Sequence, residues 1–136
     1  AEDDIVLIHD AARPLVSPAL IQRVIAAVKE RGAVVPVISV SDTVKKTVEG
    51  RVVGTVDRKE LALAQTPQGF RAGFLKKAYA KVPVSEEVTD EAKLLELAGL
   101  PVFTVEGEKN NIKITTPEDL LLAECFLTMD LNKDYI

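Results

Sequence analysis

Four consecutive apolar residues, Ile5-Val6-Leu7-Ile8, run directly into His9-Asp10-Ala11-Ala12-Arg13-Pro14. The apolar run does not alternate with polar residues, so both of its faces must be covered. That is the mark of a buried strand in an α/β sheet. The polar cluster then falls at the carboxyl end of the strand, where open α/β sheets bind ligands. There Asp10 can hold a divalent cation and Arg13 can fork onto a phosphate. A strand-to-loop turn with an incidental salt bridge has the same composition. His9 taken by itself reads as a hydrogen-bonded structural histidine. No His or Cys stands at metal-ligand spacing from it, which speaks against zinc.

Ser17-Pro18 announces a helix with a capping hydroxyl and a proline at its first position. Leu20, Ile21, Val24, Ile25 and Val28 share one face, and Gly32 is the expected stop. Residues 33–37 read as a second strand, parallel and adjacent or near-adjacent to the first. Residues 43–48 and 51–56 flank Glu49-Gly50 and read as a hairpin. Its faces carry too much charge to fill a core, and a lone ribbon is marginal in water. The hairpin is therefore expected to project as an arm, over about residues 41–58, and to pack on a second copy of the chain.

Residues 66–70 read as a loop because of Pro67 and Gly69. A helix is expected over 71–81, with Phe74, Leu75, Ala78 and Tyr79 on one side. A second begins at Thr89-Asp90-Glu91, with Thr89 as the capping hydroxyl, and ends at Gly99. A short strand is expected over 101–105. Residues 111–115 alternate and read as another strand, with Asn111, Lys113 and Thr115 on one face. Thr116-Pro117-Glu118-Asp119 opens a last helix that runs to about Met129, followed by a loose tail. Lys113 beside that helix start suits an anion, although a solvated lysine on an edge strand has the same pattern. Thr66 and Thr89 place hydroxyls at loop ends, where a turn and a cap are the plainer readings. Cys125, among apolar residues, is expected to be a buried, inert thiol.

Composition narrows the function. The 136 residues suit one domain, and 47% hydrophobic with 28% charged residues is ordinary for a soluble globular fold. A net charge of −4 argues against a general nucleic-acid binder. No apolar run approaches the roughly 20 residues that span a membrane. A single cysteine and no signal peptide point to a cytoplasmic protein.

Six motifs, in order, resemble one family. They are His9-Asp10-Ala11-Ala12-Arg13-Pro14, Asp42-Thr43-Val44-Lys45, Val56-Asp57-Arg58, Gln65-Thr66-Pro67-Gln68, Thr89-Asp90-Glu91-Ala92, and Glu106-Gly107 with the run from Asn111 to Leu120. Together they resemble the 2-C-methyl-D-erythritol 4-phosphate cytidylyltransferases of the non-mevalonate isoprenoid pathway. The resemblance implies a Rossmann-like α/β fold of the nucleotide-diphosphosugar-transferase type. Its sandwich has three layers on a mostly parallel sheet, with a protruding β-hairpin arm. It also implies transfer of a cytidylyl group from CTP to the polyol phosphate, with Mg²⁺ and release of pyrophosphate.

Carried onto this sequence, Asp10 is the metal- and nucleotide-proximal carboxylate, with Ala11 beside it at the nucleotide. Lys113 and Arg58 are catalytic cations. Arg13, Thr43, Thr66, Thr89 and Thr115 bind substrate. Thr43 and Arg58 lie on the arm, which in a homodimer completes the partner's site. Two departures stand out. The glycine-rich loop that holds the CTP triphosphate is absent, so residues 1–136 are expected to be a single partial domain whose amino-terminal portion is missing. Asn110 stands where the family often has an acid. The alternatives are a ribitol 5-phosphate (pentitol phosphate) cytidylyltransferase and a non-catalytic fragment that keeps only the dimerisation arm.

Overall fold

A computed structural model describes residues 1–83 and 88–134, with side chains through residue 129. A five-stranded sheet is built from β1 (Ile5–Ile8), β2 (Ala33–Ser39), β5 (Ala62–Ala64), β6 (Gln68–Arg71) and β7 (Phe103–Glu106). Helices α1 (Pro18–Arg31), α2 (Ala72–Lys81) and α3 (Glu91–Leu97) cover it. A separate ribbon, β3 (Val44–Val48) and β4 (Arg51–Val56), forms the arm, and α4 (Pro117–Asp134) closes the chain.

The sheet is mixed. β1, β2 and β7 run one way, and β5 and β6 run against them. β6 lies between β1 and β2, so those two are parallel and near-adjacent without touching. β5 and β6 are two halves of one interrupted partner of β2, which pairs Val37 with Ala64 and Ala33 with Phe70. The interruption faces Pro36, whose carbonyl accepts from Gln65 N–H at 2.8 Å but which has no N–H to offer. The strand therefore breaks at residues 65–67, and that break carries Thr66 to the edge of the cleft described below.

Residues 68–70 are thus a central strand and not the loop that Pro67 and Gly69 suggested. Gln68, Gly69 and Phe70 are all buried. Gly69 has a packing reason: a Cβ there would meet Val28 Cγ2 at 2.6 Å and Val24 Cγ1 at 2.7 Å. Helix α1 lies that close to the sheet. Leu20, Val24 and Val28 of α1 pack with Val34, Ile5, Leu7 and Val105 on this face. On the other face Ala33 and Phe70 pack with Leu75 and Ala78 of α2 and Leu94 and Leu95 of α3. Val6 and Ile8 join the second cluster. β1 is covered on both sides, as its unbroken apolar run requires, and the molecule has three layers.

The helix ends obey the local signals. Ser17 accepts from Leu20 N–H at 3.0 Å, and Gly32 N–H returns to the Val28 carbonyl at 2.9 Å. Asp90, not Thr89, caps α3, its carboxylate accepting from Lys93 N–H at 2.7 Å. In the arm, Glu49 and Gly50 both have positive φ (48° and 79°), the conformation that a tight two-residue hairpin turn demands. The main contacts of β3 and β4 are with each other. Val48, Val52 and Val53 are more than half exposed. The last helix continues past Met129 to Asp134, where a loose tail was expected. Cys125 on it is exposed, not buried, because among its described side chains α4 buries Ala123 and partly buries Phe126, and Cys125 faces away from both. No helix among the described residues is long and apolar enough to cross a membrane.

Gly69→Ala tests the close approach of α1. The added methyl must displace two valines in a packed core, which costs about 1–3 kcal/mol. Denaturant unfolding should show that loss with the fold retained. A variant as stable as the parent would place α1 farther from the sheet.

Candidate active site

A cleft of about 420 Å³ opens at the carboxyl end of β1. Asp10, Arg13, Thr66, Thr89 and Lys113 all border it. Five of the residues singled out in the sequence thus meet in one place, from four separate stretches of chain. Ile8, Tyr79 and Leu94 supply apolar wall.

The turn after β1 is closed by Arg13 N–H donating to the Asp10 carbonyl at 3.0 Å. The Arg13 side chain folds back over it, with Nε donating to Asp10 Oδ2 at 3.3 Å. Its Nη1 donates to the Asn111 carbonyl at 2.7 Å. The Arg13 side chain is 12% exposed and that of Asp10 39%. Arg13 is therefore held in place, with donors of its fork left over for an anion. Asp10 keeps one oxygen without a protein partner among the described residues, turned to a partly open site.

Behind the cleft lies a layer of buried amides that the sequence reading left without a role. Asn111 is fully buried. Its Nδ2 donates to the Thr66 carbonyl at 2.8 Å and to Gln65 Oε1 at 3.4 Å. Gln65 in turn donates from Nε2 to the Glu108 carbonyl at 2.8 Å and accepts from Glu108 N–H at 3.1 Å. The Glu108 carboxylate takes the Ser17 hydroxyl, which ties this layer to the start of α1. Gln68 does the same for α3, donating to Asp90 at 3.0 Å and accepting from Ala92 N–H at 3.3 Å. Asp90 caps the helix, so Thr89 remains exposed at the cleft. Only the recurrence of amides at Gln65, Gln68 and Asn111 hinted at this layer.

Residues 111–115 form no strand, contrary to their alternating pattern. Ile114 N–H donates to the Ala12 carbonyl at 2.8 Å. The next two N–H groups, of Thr115 and Thr116, go to Asp119 Oδ2 at 3.0 and 3.1 Å. The capping carboxylate takes the donors a sheet ladder would need. Asp119 N–H donates to Thr116 Oγ1 at 3.2 Å, which completes a reciprocal cap. The Thr115 hydroxyl also donates to Asp119, at 3.0 Å. Thr115 is thereby a capping residue and does not border the cleft. The Asn111, Lys113 and Thr115 face is divided: Asn111 is buried and the other two are exposed.

Ala11 is exposed in the Asp10–Arg13 turn and does not line the cleft. Thr43 and Arg58 are exposed at the base of the arm, where Arg58 Nη1 donates to the Ser41 carbonyl at 2.6 Å. Neither borders the cleft of its own chain. No group of three or more His, Cys, Asp or Glu residues gathers to hold a metal among the described residues. A single free carboxylate oxygen fits Mg²⁺, which commonly takes one or two carboxylates and leaves its other positions to phosphates and water.

The sequence pattern of the family described as 2-C-methyl-D-erythritol 4-phosphate cytidylyltransferase matches residues 1–129. The chain belongs to that family. It is 49% identical over 128 residues to the cytidylyltransferase of that name from Syntrophotalea carbinolica, covering 93% of this chain and 55% of the relative. It is 50% identical over 132 residues to a bifunctional IspD/IspF enzyme of Rhodopseudomonas palustris, covering 95% of this chain and 33% of the relative. The crystal structure of 2-C-methyl-D-erythritol 4-phosphate cytidylyltransferase from Thermus thermophilus superposes with a TM-score of 0.79 at 41% identity. That match covers 91% of this chain and 62% of the other. The α/β, Rossmann-like architecture is thus the family's. The chain spans about half the length of the single-function relative and a third of the bifunctional one.

Two measurements test this geometry. Asn111→Ala removes the donor that Thr66 and Gln65 share, and a buried polar group left unpaired costs about 1–3 kcal/mol. Denaturant unfolding should show that loss, and no loss would deny Asn111 its linking role. Asp119 is held below its ordinary value of 3.8, first by the Thr115 N–H and then by the Thr115 hydroxyl. The unfolded chain therefore takes up this proton before the folded one. The cap contributes fully above the ordinary value and is lost as pH falls through the lower, folded value. Stability measured into acid should decline less steeply in Asp119→Asn than in the parent, and superimposable acid limbs would contradict the cap.

Proposed function

We propose that this chain forms the polyol-phosphate side of a cytidylyltransferase that joins CTP to 2-C-methyl-D-erythritol 4-phosphate and releases pyrophosphate. The observation that carries the reading is the convergence of Asp10, Arg13, Thr66, Thr89 and Lys113 on one cleft. A phosphate oxygen of the polyol phosphate attacks the α-phosphorus of CTP, and the bond to pyrophosphate breaks. Such a transfer asks little covalent chemistry of the protein; positioning and charge neutralisation dominate.

The two cations divide that work. Arg13, held by Asp10 and the Asn111 carbonyl, is a fixed fork for the incoming phosphate. Lys113 is exposed on an extended segment, a point charge on a flexible stem that can follow charge as it moves to the departing pyrophosphate. Thr66 and Thr89 hold the polyol. Mg²⁺ bound at Asp10 would neutralise the nucleotide phosphates.

The arm supports a homodimer. It projects with three exposed valines, and it carries Thr43 and Arg58, which do not border the cleft of their own chain. In this reading they complete the site of the partner.

Pyrophosphate release by the full-length protein, with CTP and either methylerythritol 4-phosphate or ribitol 5-phosphate, tests the assignment. Preference for the first is expected, and preference for ribitol 5-phosphate would overturn it. Asp10→Asn and Lys113→Ala should each lower turnover at least about tenfold, within the range for lost transition-state charge partners. Unchanged turnover would remove that residue from the reaction.

A further inference from the structure

His9 is the one histidine of the chain, and the reading above gives it no part. Both of its ring nitrogens are engaged. Nε2 stands 2.9 Å from the Arg13 carbonyl, and Nδ1 stands 2.9 Å from Thr66 Oγ1. We propose that His9 sets the polarity of the Thr66 hydroxyl, so that Thr66 meets the substrate as a hydrogen-bond acceptor and reads a polyol hydroxyl, not the phosphate.

The proton positions follow from the partners. A carbonyl can only accept, so Nε2 carries the hydrogen. On the neutral ring Nδ1 is then a bare lone pair. Thr66 has a single hydroxyl hydrogen and must give it to Nδ1. Its oxygen also accepts the Asp10 N–H at 3.0 Å. One of its two lone pairs is thereby filled, and one remains at the border of the cleft. A phosphate oxygen is itself an acceptor and would face that lone pair unfavourably. A substrate hydroxyl can donate to it.

The cleft is therefore polar in a directed sense. Arg13 and Lys113 offer donors and positive charge at one part of it, and Thr66 offers an acceptor at another. A polyol phosphate fits in one direction, with its phosphate toward the cations and a hydroxyl toward Thr66. His9 acts through Thr66 and through the Arg13 carbonyl, so it is a positioning residue. This inference rests on the transferase reading for the identity of the substrate, but the polarity of Thr66 can be read without any substrate.

In a long-range ¹H–¹⁵N spectrum of the labelled full-length protein, the signals of this ring are the ones lost in His9→Gln. With the ring in its neutral form, Nε2 should appear protonated. Nδ1 should appear unprotonated and displaced by an accepted hydrogen bond. Thr66→Val should return Nδ1 to the position of a free lone pair. A protonated Nδ1, or no change in Thr66→Val, would overturn the proposal.

Two substitutions of this exposed side chain separate its two bonds. In His9→Asn the amide oxygen can stand where Nδ1 stood and still accept from Thr66. In His9→Gln the amide nitrogen can stand where Nε2 stood and hold only the Arg13 carbonyl. The full-length His9→Gln enzyme should raise KM for the polyol phosphate roughly tenfold, the scale of one hydrogen bond, with KM for CTP and kcat little changed. His9→Asn should stay within about threefold of the parent, since it keeps that bond. Equal KM values in the two variants would overturn the proposal. Absence of turnover in the parent protein would instead refute the transferase reading, and the ring spectrum would still decide the polarity of Thr66.

Discussion

The carboxamide of Asn111 is the joint on which the cleft depends. It is fully buried and grips the carbonyl of Thr66, while its own backbone carbonyl takes the Arg13 guanidinium. Three stretches far apart in the chain, around residues 10, 66 and 111, are brought into register by one side chain and its neighbour Gln65. The Asn111 Nδ2 is paired while its Oδ1 meets no partner among the described residues, and losing the Nδ2 partners would leave the buried amide wholly unpaired, at a cost. The same economy explains why Glu108 and Ser17 reach into the layer: they tie it to the start of α1, which is packed hard against Gly69. Arg13 inherits its fixed position from this framework. Lys113, two residues past the joint, does not, and its side chain is free in solvent.

Function follows from that contrast between held and loose groups. In the transferase reading, a fixed fork, the Thr66 hydroxyl bonded to His9, and a carboxylate with one open oxygen would define where the parts of a phosphorylated substrate belong. In that reading Lys113, exposed at the border of the cleft, would supply the charge that must shift as the α-phosphorus changes partners. The exposed valines of the arm and the leucines of α4 are surfaces of another kind, apolar and outside the cleft. The arm carries Thr43 and Arg58 with it, which makes it part of the chemistry of a dimer in the reading developed above.

Much of this was legible in the sequence, and the failures have physical causes. The apolar run of β1, the Ser17-Pro18 and Thr116-Pro117 helix starts and the Glu49-Gly50 hairpin are local signals, and each formed as expected. Pro67 and Gly69 were misleading because both answer to tertiary contacts: one sits in a strand break opposite Pro36, the other under α1. Residues 111–115 alternate like a strand, yet Asp119 claims their donors. Thr89 resembles a cap, yet Asp90 does the capping. In the cleft, the charged and hydroxyl residues were identifiable by type. Gln65, Gln68 and Asn111 were not, because a buried amide is meaningful only through partners distant in sequence. Cys125 was misplaced because apolar neighbours on a helix do not reveal which way the helix faces.

The central claim is that the end of β1, the break at Thr66 and the segment around Lys113 form one binding site for a phosphorylated polyol. Titration of methylerythritol 4-phosphate into the ¹⁵N-labelled protein tests it most directly, residue by residue. The largest shifts should fall on Asp10, Arg13, Thr66, Thr89 and Lys113 and saturate with a single binding constant. Saturating shifts elsewhere that leave these five unmoved would contradict the account.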